Sequence, residues 1–124
     1  MSILNYTAIV RTTAGVDVKR AAISAASAAA AGNELVAAVS GKKICVLGVV
    51  LIANADVTAT FYSGPADTGT AISGPLPLGA KGGFAVDAPA DPQMHAMETA
   101  AGARLSLLLS AAVQCSGWLT YYEE

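Results

Sequence analysis

His95 is the only histidine in the 124-residue chain, so a Ser-His-Asp triad, a Cys-His pair or a three-histidine metal site would each have to be built on it. It sits in "PQMHAMET", with no second metal-type ligand at a familiar short spacing, and reads as an ordinary loop histidine, with a ligand or acid–base role as the alternative. Cys45 and Cys115 have no CxxC neighbour, which argues against zinc. They lie in apolar, strand-like runs far apart in sequence and read as buried free thiols, with a disulfide as the alternative. Asp87 and Asp91 flank the proline-rich "DAPADP", where two carboxylates could run glycoside hydrolysis. Asp also favours such turns because its side chain bonds the local backbone, and turn capping is the stronger reading. Calcium would need an Asp-x-Asp-x-Asp-Gly spacing that the loop lacks. "GAKGG", Gly79 to Gly83, lacks the Walker spacing and runs into the strand-like "FAV" rather than a helix that could hold a phosphate, so it reads as a hairpin turn. These residues predict no catalytic, cofactor or metal site, and no enzyme.

The aromatic residues offer different chemistry. Trp118, Tyr121 and Tyr122 could stack on a sugar, but half-buried aromatics on an edge strand, as this one is read, more often close a subunit interface. With Tyr6 and Ile9 of the opening segment they form the candidate interface.

The elements that would carry these residues read as strands. From Glu34 onward "ELVAAVS", "ICVLGVVLIAN", "VTATFYS", "ARLSLLLSA" and "VQCSGWLTYYE" are rich in β-branched and aromatic types and bounded by turn residues. The proline-rich Gly64 to Gly83 allows only short edge pieces at "TAIS" and "PLPL" before "FAVDAP". Alternation puts Leu105, Leu107 and Leu109 on a core face against Arg104, Ser106 and Ser110. It puts Val113, Cys115, Leu119 and Tyr121 opposite Gln114, Ser116, Trp118, Thr120 and Tyr122. About eight short strands predict an all-β antiparallel sandwich of jelly-roll type, with an immunoglobulin-like sandwich as the alternative. "SILNYTAIVRT" predicts an opening strand. Residues 13–33 could be an Ala-driven helix closed by Gly32-Asn33, or an extended arm on a neighbouring subunit; the lack of a bulky apolar stripe favours the arm. Residues 1–33 are thus set apart as strand and arm, and 34–124 as the sandwich.

Composition narrows the partners. Hydrophobic residues make up 54% of the chain and charged ones only 13%, about half the usual charged share. So few charges suggest that much of the exterior is covered by other chains. A net charge of −2 leaves no footprint for nucleic acid. No apolar run reaches the roughly 20 residues of a spanning helix, because Lys43, Asn54 and Asp56 bracket the longest, so no membrane partner is expected. Lys19-Arg20 before "AAISAASAAAAG" imitates a secretory signal only faintly, being Ala- and Ser-rich and late in the chain.

Three segments taken together, "LVAAVSGKKICVLGVVLIANADVTATFYSG", "GPLPLGAKGGFAVDAP" and "ETAAGARLSLLLSAAVQCSGWLTYYE", resemble small all-β virion structural proteins of tailed bacteriophages and prophages. The resemblance runs from about Leu35 to Glu123. It implies a jelly-roll decoration or cement protein bound outside the phage head, made in the host bacterial cytoplasm. Its expected partners are further copies of itself, as a trimer or dimer, and the major capsid protein, with the N-terminal segment bridging capsid subunits. A tail or head fibre module that binds a receptor or carbohydrate is the alternative. The family supplies no catalytic residues.

Overall fold

The computed structural model describes residues 10–11, 17–89 and 94–124, and these form a two-layer, all-β sandwich of antiparallel strands. The elements are β1 (Val10–Arg11), β2 (Asp17–Ala25), β3 (Asn33–Val36), β4 (Ile44–Ala53), β5 (Val57–Ser63), β6 (Thr70–Ala71), β7 (Leu76–Leu78), β8 (Gly83–Val86), β9 (Met97–Glu98), β10 (Leu105–Leu109) and β11 (Cys115–Glu123). One sheet runs β1-β2-β11-β4-β8, with β9 also on β4; the other runs β3-β10-β5-β6, with β7 also on β5. No α-helix forms among the described residues.

Alternation explains most of the core. Along β5, Val57, Ala59, Phe61 and Ser63 turn inward while Thr58, Thr60 and Tyr62 do not. They meet Leu105, Leu107 and Leu109 of β10 in the same layer, and face Ile23, Ile44, Val46, Val49, Leu51 and Leu119 of the other sheet. Cys115 is buried in this core and free, as is Cys45 on the other side of the sheet.

The described part of the segment predicted as helix or arm, residues 17–33, forms no helix. Asp17–Ala25 is a nine-residue strand paired with β11 from Cys115↔Ala25 to Tyr121↔Lys19. Its inward residues are Ala21, Ile23 and Ala25, so its apolar face is made mostly of methyl groups, which high helix propensity disguises. As part of the sheet it offers only its outer face, Arg20, Ala22 and Ser24, beyond the chain's own core.

Two details shape the six-stranded sheet. Gly117 lies where β2 and β4 crowd β11: an added Cβ would sit 1.8 Å from the Val50 carbonyl oxygen. In β4 a bulge at Leu47–Gly48 opposes the Thr120/Tyr121 step of β11. The extra residue lets both Val46 and Val49 face the core while Leu47 is turned outward. It also divides the free edge of β4, with β8 covering Val49–Ile52 and β9 covering Cys45–Val46.

Ser106 departs from its predicted exterior role. It is on the outward side of β10 but fully buried, because Arg104 Nε donates to its Oγ at 2.7 Å and Arg104 Nη2 donates to the Ala31 carbonyl at 2.9 Å. The guanidinium thus ties the β2–β3 connection down over this strand.

Candidate functional site

The outer face of the six-stranded sheet carries Trp118, Tyr122 and Cys45, with His95 over one end of it. Register defines its rows, since directly paired residues share a face. Ala22, Trp118, Val50 and Ala85 form one row, and Ser24, Ser116, Ile52 and Gly83 the next. Trp118 is 44% exposed and Ile52 51%, and a shallow depression beside them is lined by Val50, Ile52, Lys81, Gly83, Phe84 and Ala85. The Arg20 guanidinium lies 5.7 Å from the Trp118 ring centroid, at cation–π distance. Gln114 Nε2 donates to Ser24 Oγ at 3.1 Å and Ser116 Oγ at 3.2 Å, forming a polar rim. This part of the face is apolar at its centre, with Arg20 and Lys81 as the cations beside it.

At the other end of the same face the character changes. The pairs Tyr122↔Cys45 and Cys45↔Glu98 set three functional side chains in one row across β11, β4 and β9. His95, just before β9, closes over this row. Its ring stands edge-on to Tyr122 at 5.9 Å and 84°, with Nδ1 3.2 Å from the Tyr122 hydroxyl and Nε2 2.7 Å from Glu98 Oε1. Lys43 Nζ donates to Glu98 Oε2 at 3.2 Å, and the Cys45 thiol and Tyr122 hydroxyl are hydrogen-bonded. Leu47, turned outward by the bulge, packs with Cys45, Tyr122 and Val18 beneath the polar groups.

Burial and partners set the proton affinities here. Hydrogen bonds from His95 and then Lys43 hold the Glu98 carboxyl below its ordinary range. Burial pushes the Cys45 thiol up, and burial with the Cys45 hydrogen bond pushes the Tyr122 hydroxyl up to about 12. A protonated, fully buried thiol is a poor nucleophile, so this row is not arranged for covalent catalysis.

The predicted interface residues therefore separate. Trp118 is exposed on the apolar part of the face. Tyr122 is on the same face, as alternation indicated, but only 3% exposed, because His95 and its neighbours cover it. It is not available to a partner while they stay in place. Tyr121 is half-buried against the core, and Tyr6 and Ile9 lie outside the described residues. Asp87 is exposed beyond β8, and Asp91 lies outside the described residues. The turn Gly79–Gly82 closes by a Gly82 N–H to Gly79 carbonyl bond of 2.9 Å and links β7 of one sheet to β8 of the other.

Sequence reasoning missed the meeting of Cys45, His95 and Glu98. Fifty residues separate the cysteine from the histidine, and no local spacing signals the contact. The His-x-x-Glu step was visible, but its partner strand was not.

Fold and site together define an all-β sandwich with one apolar outer sheet face and a polar cluster at its end. No protein-family model matches this chain, and neither a curated protein nor a solved structure matches it.

Proposed function

We propose that this chain is a structural virion protein, a decoration or cement protein that binds the outside of a tailed-phage head as a homo-oligomer and stabilises the shell. The observation that carries the reading is the row Ala22–Trp118–Val50–Ala85 with Ile52 beside it, an apolar sheet face turned away from the chain's own core. Such a surface, apolar with a tryptophan at its centre and arginine and lysine at its margin, suits a repeated symmetric contact between copies. Strand order supports a jelly-roll assignment: β2-β11-β4-β8 in one sheet and β3-β10-β5-β7 in the other, with the chain passing between layers as two Greek keys would require. Jelly rolls are common in viral capsids but also in lectins, so the fold favours the reading without specifying it. The phage resemblance of the sequence points the same way. Binding only the assembled shell would stabilise it by mass action.

The deciding measurement is the copy number of this chain per purified virion, by quantitative mass spectrometry against the major capsid protein. Hundreds of copies are expected, and a handful would overturn the head-decoration reading.

A second reading is favoured by Arg20 over the Trp118 ring and the nearby Gln114–Ser24–Ser116 bonds, a stacking platform with polar neighbours that suits a glycan. It makes the chain a fibre module that binds a receptor or carbohydrate. Under it, glycan-array binding is lost in Trp118→Ala while the oligomer persists.

A further inference from the structure

We propose that Cys45, His95 and Glu98 form a binding site for a zinc-class divalent cation, with one sulfur, one nitrogen and one oxygen ligand and a fourth position open to water. One ligand atom from each residue lies within 4.8 Å of the others, and no second such group occurs among the described residues. Bonds of about 2.0–2.3 Å from a tetrahedral ion put its ligands roughly 3.3–3.7 Å apart, so the His95 Nε2–Glu98 Oε1 pair, at 2.7 Å, must open by more than about 0.5 Å while the widest separation closes by about 1 Å. His95 and Glu98 can make that movement. Both belong to the short segment at the edge of β4, Glu98 is exposed, and the His95 side chain reaches the surface at 16% exposure. Cys45 is the fixed member, held on β4 between β11 and β9.

The donor set is chemically selective. Sulfur with imidazole nitrogen suits zinc and its borderline-soft neighbours, whereas calcium and magnesium take oxygen ligands. Charge is favourable as well. Glu98 and Glu124 act on the Cys45 thiol against the single ammonium of Lys43, so the surroundings are net negative before the thiol ionises. A bound cation would draw the thiol proton off to solvent and leave a thiolate–metal bond.

The supporting contacts already exist. His95 is held at both ring nitrogens, by Tyr122 at Nδ1 and by Glu98 at Nε2. A cation taking one nitrogen leaves the other oriented, as the second nitrogen of a metal-bound histidine usually is. Lys43 holds Glu98 Oε2 and leaves Oε1 facing the histidine. The Tyr122 hydroxyl, bonded to the Cys45 thiol, is placed to donate to the thiolate. In this arrangement the cation fastens the His95–Glu98 segment to the sheet and so completes the covered edge of β4.

The test uses the full chain, reduced and stripped with chelator, then titrated with Co²⁺ as a spectroscopic stand-in for Zn²⁺. The expected result is one cobalt per chain, with tetrahedral d–d bands and a thiolate-to-cobalt charge-transfer band, both removed by Zn²⁺. Cys45→Ser should abolish the charge-transfer band, while Cys115→Ser, altering a thiol buried in the core, should leave it unchanged. His95→Ala and Glu98→Gln should each weaken binding by more than the roughly 10- to 100-fold typical of losing a group that only orients a ligand. If Cys45→Ser does not fold, these two surface-reaching variants decide the matter. Cobalt that stays octahedral, a charge-transfer band that survives in a folded Cys45→Ser, or unchanged affinity in both His95→Ala and Glu98→Gln would overturn the site and leave a hydrogen-bonded polar row.

Discussion

Replacing Trp118 by Ala removes the largest exposed side chain from the apolar face and separates assembly from folding. A tryptophan side chain presents up to about 250 Å², of which 44% remains open in the single chain, or roughly 110 Å². Covering that area in a subunit contact contributes about 2.7 kcal/mol at 25 cal/mol per Å², close to a 100-fold change in dissociation constant for each contact. The chain itself loses less, about 0.5–1 kcal/mol for the Arg20 cation–π contact plus some packing, because Trp118 is not part of the core. Sedimentation velocity over a concentration series, with urea denaturation of the same samples, reads both quantities. The expected outcome is a folded variant whose association shifts by about two decades in concentration. Ile52→Ser, at 51% exposure on the same face, should repeat the shift without disturbing Arg20. A wild-type chain that is monomeric at every concentration, or variants that associate as the wild type does, would refute the assignment of this face to self-association.

Two further predictions concern stability. Gly117→Ala should cost at least about 1–3 kcal/mol in urea denaturation, because its Cβ would meet the Val50 carbonyl oxygen at 1.8 Å between two paired strands; an unchanged midpoint would mean that β11 can move away from β4. The Lys19 ammonium is held above its ordinary value chiefly by its hydrogen bond to Glu123, at 2.6 Å. A raised folded-state value means that its contribution is complete below about pH 10, the unfolded value, and is lost as pH rises through the folded one. For a partly exposed pair that is at most about 1 kcal/mol, and Lys19→Met should flatten this part of the stability profile between pH 9 and roughly 12.

What the sequence made legible follows from side-chain size. The strands Ile44–Ala53, Val57–Ser63, Leu105–Leu109 and Cys115–Glu123 carry bulky apolar residues at alternate positions or in unbroken runs, and turn residues bound them. Asp17–Ala25 has the same two-residue period, but Ala21 and Ala25 face the core while Ala22 faces out, so hydropathy hardly alternates and propensity misleads. Alternation gave the correct face for Tyr122 and Ser106 but not their burial, since His95 and Arg104 cover them from other parts of the chain. The polar row depended on register between strands far apart in sequence, together with a bulge that no residue type announces.

The position of β11 has a consequence for how the molecule comes into being. It lies between β2 and β4, hydrogen-bonded to both along most of its length. Until Cys115–Glu123 has left the ribosome, these two strands have no partner between them, and Cys45 and Leu47 have no Tyr122 to cover them. The nascent chain must therefore carry a gapped sheet with two open edges from the synthesis of β4 until β11 has been made. Such long-range pairing is slow and exposes edges to other chains. At the high local concentrations of translation on polysomes, occupation of that gap by β11 of a neighbouring copy would compete with correct closure, and the yield of folded protein would be set by the speed of β11 insertion.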